Sequence, residues 1–96
     1  AFSTSPLGPF VSTATKPLVC QTELGGTIDS HPFRDADGSF YLYYKSDANN
    51  PRFGKKTDIF VQKMTPDALS VVGEPVALLR NDTEWEAHVI EAPTMV

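Results

Sequence analysis

The chain has 96 residues, which allows one domain with a modest hydrophobic core. Its hydrophobic content of 41% and aromatic content of 10% are typical of a folded globular chain and exclude a disordered segment. The net charge of −4 argues against nucleic acid as a partner, because phosphate binding needs clustered basic residues, and no apolar run is long enough to span a membrane.

The N-terminal region carries few signals of regular structure. Residues 5–10 are rich in turn formers, and residues 16–20 could form one short strand. Cys20 is the single cysteine, so no internal disulfide can form, and we expect it to be a small buried residue. The region lacks the charged and apolar segments of a signal peptide, and the chain does not begin with Met. We therefore expect a mature or excised segment.

The rest of the chain predicts antiparallel strands joined by tight turns. Asp37-Gly38 is a strong hairpin signal, and Pro66-Asp67 predicts a second turn. Pro75 suits the first position of a strand or an edge strand. No stretch has helical periodicity over three turns. The predicted strands are residues 31–34, 40–44, 57–64 and 74–79, followed by a new strand over 87–96.

Some residues in these elements have more than one interpretation. Asp35 and Asp37 lack the further ligands of a calcium loop, so a hairpin turn is expected there and no metal site. The tyrosines at 41, 43 and 44 alternate between the faces of a strand, which predicts packing roles. Asn81-Asp82-Thr83 fits an N-glycosylation acceptor, which matters only in a eukaryotic secretory context.

Two carboxylates lie among apolar neighbours at the start of predicted strands. They are Asp29, which follows Ile28, and Glu91, which follows Val89 and Ile90. A carboxylate in apolar surroundings is costly to keep charged unless it is paired or used. The two residues therefore predict an acid/base pair built on a sheet. The plainer alternatives are that Asp29 caps a turn and that Glu91 is an ordinary carboxylate at a strand edge.

Several stretches of the chain resemble glycoside hydrolase family 43. Residues 28–42 are similar to the signature of the family's second blade, and residues 85–93 are similar to its general-acid motif. Between them, residues 58–61 and 69–76 match the third and fourth strands of a blade. The resemblance covers mainly residues 25–96, and no single motif decides it.

The resemblance implies an all-β fold. The expected structure is an antiparallel four-stranded blade of a five-bladed β-propeller, with the end of the preceding blade and the start of the next. Residues 1–24 would end the preceding blade, 25–82 would form one complete blade and 83–96 would begin the next. A single blade has two broad faces and cannot bury both, so we expect the chain to be marginally stable alone and to pack against the remaining propeller blades.

The resemblance also implies roles for particular residues. Glu91 matches the general acid, and Asp29 matches the residue that tunes the pKa of that acid and positions substrate. The general base belongs to the family's first blade, and no residue of this chain matches it. His31, Trp85 and Glu86 are candidates for substrate binding, although Trp85 could instead pack against the protein. We expect no metal and no cofactor.

The implied function is hydrolysis of glycosidic bonds in pentose-containing plant polysaccharides, such as arabinan, arabinoxylan and xylan, by an inverting mechanism. The activities would be of the arabinofuranosidase, xylosidase or arabinanase type, and the partner would be an oligo- or polysaccharide. A secreted location is expected, and a cytoplasmic one stays open. Because the base has no match, the 96-residue chain alone should be inactive. Two alternatives remain: a non-catalytic sugar-binding or structural propeller segment, and a related propeller hydrolase acting on fructose-containing sugars.

Overall fold

The computed structural model describes all 96 residues, Ala1–Val96. Its regular structure is one antiparallel sheet whose four strands follow each other in sequence order. The strands are β1 (Thr27–Arg34), β2 (Phe40–Ser46), β3 (Asp58–Met64) and β4 (Val71–Arg80), with short 3-10 turns at Thr22–Leu24 and Glu84–Glu86. Each of the four strands predicted between residues 31 and 79 overlaps one of these, so the predicted all-β meander is confirmed. No helix is long and apolar enough to cross a membrane.

The turn chemistry explains why the strands meet as hairpins. In the β1–β2 turn, the Asp35 amide donates to the Ser39 carbonyl at 2.8 Å, and Gly38 takes a φ of +87°. The Asp37 carboxylate accepts the Ser39 amide and hydroxyl, and these bonds lower the pKa of Asp37. In the β3–β4 turn, the Thr65 amide donates to the Ser70 carbonyl. Asp35 and Asp37 therefore form a turn, as predicted.

The sheet has a core face and a second face, because side chains alternate along each strand. The core face carries the buried residues Leu42, Tyr44 and Met64. Tyr44 stacks on Phe60 with ring centroids 5.6 Å apart, and Val19 from the N-terminal region packs against the same cluster. This small cluster is the hydrophobic core, and it draws the irregular N-terminal residues onto one side of the sheet.

The second face is covered only in part. Tyr43 packs edge-on against Phe33 with centroids 6.4 Å apart, which agrees with the predicted packing role of the tyrosines. On the same face, Val61 pairs with Val76 and Ile59 pairs with Leu79. Val76 is 57% exposed and Leu79 is 64% exposed. The apolar row on β4, which is an edge strand as Pro75 predicted, therefore has no cover from this chain.

Three sequence predictions are wrong. Residues 16–20 and 87–96 form no strand, because neither stretch lies beside a strand with which it could form a ladder of hydrogen bonds. Cys20 is exposed rather than buried. The division of the chain at residues 24 and 82 stays a prediction, and the sheet itself runs from Thr27 to Arg80.

Candidate active site

A β-bulge near the start of β1 places Asp29. The pairing of β1 with β2 shifts between Ile28, which lies opposite Lys45, and His31, which lies opposite Tyr43. Three steps along β1 thus correspond to two steps along β2, so one extra residue must leave the regular ladder. Asp29 has a φ of +54°, a left-handed conformation that is uncommon for a residue other than glycine. The bulge turns this carboxylate out of the strand's regular alternation.

The Asp29 carboxylate contacts the residue that follows Glu91. Its Oδ2 atom accepts a hydrogen bond from the Ala92 amide at 3.2 Å, across 63 positions of sequence. Ala92 also has a positive φ, of 53°. Backbone strain of this kind often accumulates at functional sites, where the surrounding structure maintains it. The two acidic motifs therefore meet at the end of the sheet where β1 starts and β2 ends.

The surroundings of Glu91 differ from the sequence prediction. It does not begin a strand, and its side chain is 59% exposed rather than enclosed by Val89, Ile90 and Ala92. Its nearest charged partner is Lys45, whose Nζ lies 3.7 Å from Glu91 Oε2. This distance defines an ion pair but is too long for a hydrogen bond. The prediction of apolar surroundings assumed a strand packed on both sides, which this segment is not.

Thr57 holds the backbone just before Glu91, a role that is not predicted from the sequence. The Thr57 hydroxyl accepts from the Ile90 amide at 3.0 Å and lies 3.2 Å from the Ile90 carbonyl, to which it can donate. Thr57 is fully buried, directly before β3. A threonine at a strand start has many ordinary uses, so no sequence signal distinguishes this one.

Asn81 hydrogen-bonds to both Thr57 and the segment before Glu91. These contacts argue against its predicted use as a glycosylation acceptor. Its Oδ1 atom accepts from the Thr57 amide at 2.7 Å, and the residue is only 4% exposed. Its Nδ2 atom donates to the Ala87 carbonyl at 3.5 Å. An amide engaged in this way is not accessible to a glycosylating enzyme in the folded chain. Asn81 instead ties the end of β4 to the segment that carries Glu91.

The three candidates for substrate binding lie in different environments. His31 is half-buried on the second face, opposite Tyr43 and just after the bulge. Trp85 is 83% exposed and does not pack against these 96 residues. The Glu86 carboxylate accepts the amides of Thr83 and Asp82 at 3.1 and 3.0 Å. The bonds from Thr83 lower the pKa of Glu86, and these contacts give it a capping role that sequence did not predict.

Two clefts of the chain lie apart from the Asp29 carboxylate. One, of about 570 Å³, lies between the N-terminal residues and the β3–β4 turn. A second cleft, of about 300 Å³, is lined by Asn49, Asn81, Ala87 and His88 and borders the segment before Glu91. No group of three or more His, Cys, Asp or Glu residues is arranged to hold a metal ion. Neither cleft is lined by Asp29 or Glu91.

The architecture and the comparisons agree on the class of protein. A four-stranded antiparallel meander matches the architecture of one blade of a β-propeller. The sequence model of glycosyl hydrolases family 43 matches residues 1–96, and the chain belongs to that family. Among solved structures, it is similar to the crystal structure of a thermostable family-43 glycoside hydrolase, with a TM-score of 0.68 and 37% identity.

The structural match covers very different fractions of the two chains. It covers 88% of this chain and 27% of the thermostable enzyme's chain. A comparison with curated proteins found no match. The chain thus spans a minor part of the length of its structural relative.

Proposed function

We propose that this chain forms part of an inverting glycoside hydrolase that acts on pentose-containing plant polysaccharides. Membership of glycosyl hydrolase family 43 supports glycosidic bond hydrolysis. The observation that carries the proposal is the hydrogen bond from the Ala92 amide to the Asp29 carboxylate, which brings both acidic motifs to one place. The preference for pentose polymers rests on the resemblance of residues 28–42 and 85–93 to the family's motifs.

In the proposed mechanism, Glu91 is the general acid. Its carboxylic proton passes to the leaving oxygen while the bond from that oxygen to the anomeric carbon breaks. A general base takes a proton from a water molecule, whose oxygen bonds to the anomeric carbon from the opposite side of the ring. Inverting enzymes separate the two groups by roughly 6.5–9.5 Å to admit this water. No residue of this chain matches the base, so the other propeller blades would supply it.

Asp29 would support the acid without transferring a proton itself. Its carboxylate accepts a hydrogen bond from the Ala92 amide, one residue from Glu91, which holds its negative charge near the backbone of the acid. A carboxylate held near another carboxyl group favours the protonated form of its neighbour, as a general acid requires. The exposed Trp85 would offer an aromatic surface on which a sugar ring can stack.

The direct test is the E91Q variant of the full-length protein. Glutamine keeps the shape of the side chain and cannot donate the proton. We expect turnover of an arabinofuranoside or xyloside with a poor leaving group to fall by about a hundredfold or more. A dinitrophenyl glycoside, which needs little protonation, should lose much less. The matched control is E74Q, which removes an exposed carboxylate on β4, the opposite edge of the sheet.

The outcomes separate the enzyme from the alternatives. Near-normal turnover by E91Q would refute the role of Glu91. Saccharide binding by a wild-type protein that shows no turnover would support a non-catalytic module. Turnover of fructosides but not of pentosides would favour the fructose-acting alternative.

A further inference from the structure

Lys45 is a buried cation beside the proposed acid. It lies in β2 between Ile28 of β1 and Ile59 of β3 and is 1% exposed. A lysine this deep within a sheet is rare, because removing an ammonium group from water is costly unless other groups compensate. The reason for its burial must lie in the groups around its Nζ atom.

Two groups compensate the Lys45 ammonium. The Asn49 Oδ1 atom accepts a hydrogen bond from Nζ at 3.0 Å. The Glu91 carboxylate supplies the negative charge at 3.7 Å, and it is the only carboxylate that forms an ion pair with Lys45. The lysine end of this pair is fixed by the sheet, whereas the Glu91 end is 59% exposed to solvent. Lys45 can therefore orient Glu91 far more than Glu91 can orient Lys45.

The hydrogen bonds on either side of Glu91 fix its backbone but not the orientation of its side chain. Thr57 holds the backbone at Ile90, and Asp29 holds it at Ala92. Neither bond fixes the side-chain torsions of Glu91. Residues 87–96 have no ladder of strand hydrogen bonds that would pack the side chain against a neighbour. The ion pair is the one polar contact made by the Glu91 carboxylate.

We propose that Lys45 is a positioning residue of the active site, which directs the Glu91 carboxyl group toward the glycosidic oxygen. The inference rests on the proposed function of Glu91. Because its side chain is 2% exposed, Lys45 does not itself touch substrate. A cation favours the ionised form of a carboxyl group, so Lys45 does not help to protonate Glu91. It acts only through the position of the Glu91 side chain, so its loss should impair delivery of the proton to the glycosidic oxygen and leave substrate binding intact.

The experiment uses K45M in the full-length protein and two substrates of one sugar. Methionine fills a similar volume without the charge. For the glycoside with the poor leaving group, we expect kcat to fall by roughly tenfold to a hundredfold with little change in KM, as for a misplaced catalytic group. The dinitrophenyl glycoside should lose less than about threefold, because its cleavage needs little proton donation. K45R, which keeps the cation, should restore much of the loss.

Two controls separate positioning from general damage to the fold. K63M removes an exposed lysine on the same face of the sheet, opposite Tyr41, and should leave both substrates unaffected. The K45M/E91Q double variant should lose no more activity than E91Q alone, because Lys45 acts only through Glu91. If K45M does not fold, N49A, which removes the acceptor of the lysine ammonium, should show the same selectivity between substrates.

The activities of K45M, K45M/E91Q and E91Q together decide whether Lys45 positions Glu91. Selective loss on the poor leaving group, with no further loss in the double variant, supports the proposal. Equal loss on both substrates, or no loss, overturns it while leaving the role of Glu91 intact. If E91Q itself shows no selectivity between the substrates, the proposed function fails, and the role of Lys45 fails with it.

Discussion

A single hydroxyl group connects the start of β3 to the segment that carries Glu91. Thr57 is fully buried, and its side chain meets both the amide and the carbonyl of Ile90. The bond between the Thr57 hydroxyl and the Ile90 amide is partly buried, so removing the hydroxyl leaves the amide without its protein partner and with limited access to water. Thr57 should therefore matter for the position of residues 87–92 as well as for stability.

We predict that T57V lowers the free energy of unfolding by about 1–3 kcal/mol, since valine has the same shape but leaves the Ile90 amide unpaired. Urea unfolding measures this change. The matched control is T15V, at an exposed threonine whose side chain makes no hydrogen bond within the chain, which should change stability by less than about 0.5 kcal/mol. Equal stability of the two variants would show that Thr57 does not hold the segment.

At the scale of elements, the sequence predicted what local chemistry determines. The hairpin at Asp37-Gly38 follows from the turn preferences of these two residues. The edge position of the strand with Pro75 follows from the missing amide hydrogen of proline. Both properties can be seen in the sequence alone. The absent strand over residues 87–96 was not predictable, because apolar residues form a strand only beside a partner strand. The Thr57–Ile90 and Lys45–Glu91 contacts join residues more than thirty positions apart, and no local pattern encodes them.

Gly25 lies between the 3-10 turn at Thr22–Leu24 and the start of β1, and it allows a direct test of local packing. It has a φ of +86°, and a Cβ atom there would lie 2.6 Å from the Asp47 carbonyl oxygen. Gly54 also has a positive φ, of 58°, but a Cβ atom there would meet nothing within 4 Å. The pair separates the cost of the left-handed backbone from the cost of the clash.

We predict that G54A costs about 1 kcal/mol from backbone strain alone. G25A should cost about 3 kcal/mol, because overpacking against a backbone carbonyl adds to the same strain. The measurement is again the free energy of unfolding in urea. Similar losses of stability for both variants would mean that the Asp47 carbonyl moves aside freely. The close contact between Gly25 and Asp47 would then not be tightly determined.

For the molecule as a whole, exposed apolar surface is the dominant feature. Only 12 of the 96 residues are buried, so the core is too small to give this chain much stability of its own. The uncovered row on β4 includes Val76 and Leu79, and the edge of that strand has free backbone groups. Such a surface is covered by further protein or promotes association. We propose that the other propeller blades cover it in the full-length protein.

The 96-residue chain alone should therefore self-associate. We predict that the V76K/L79K variant reduces this association, because charges on an apolar edge strand oppose pairing with another copy. Sedimentation velocity over a range of concentrations measures the effect. L7K, at a residue that is 94% exposed but lies outside the sheet, is the control and should not change association. A wild-type chain that stays monomeric throughout the range would contradict the prediction.

The bulge in β1 has a consequence for how such a protein can vary. Regular pairing with β2 exists on both sides of it, at Ile28 and at His31. Deleting one residue between them, such as Ser30, would leave every other rung of the ladder in its present alignment. It would restore an even strand and withdraw the Asp29 carboxylate from Ala92. Loss of a single codon would thus remove the proposed contribution of Asp29 to the acid while preserving the architecture of the sheet.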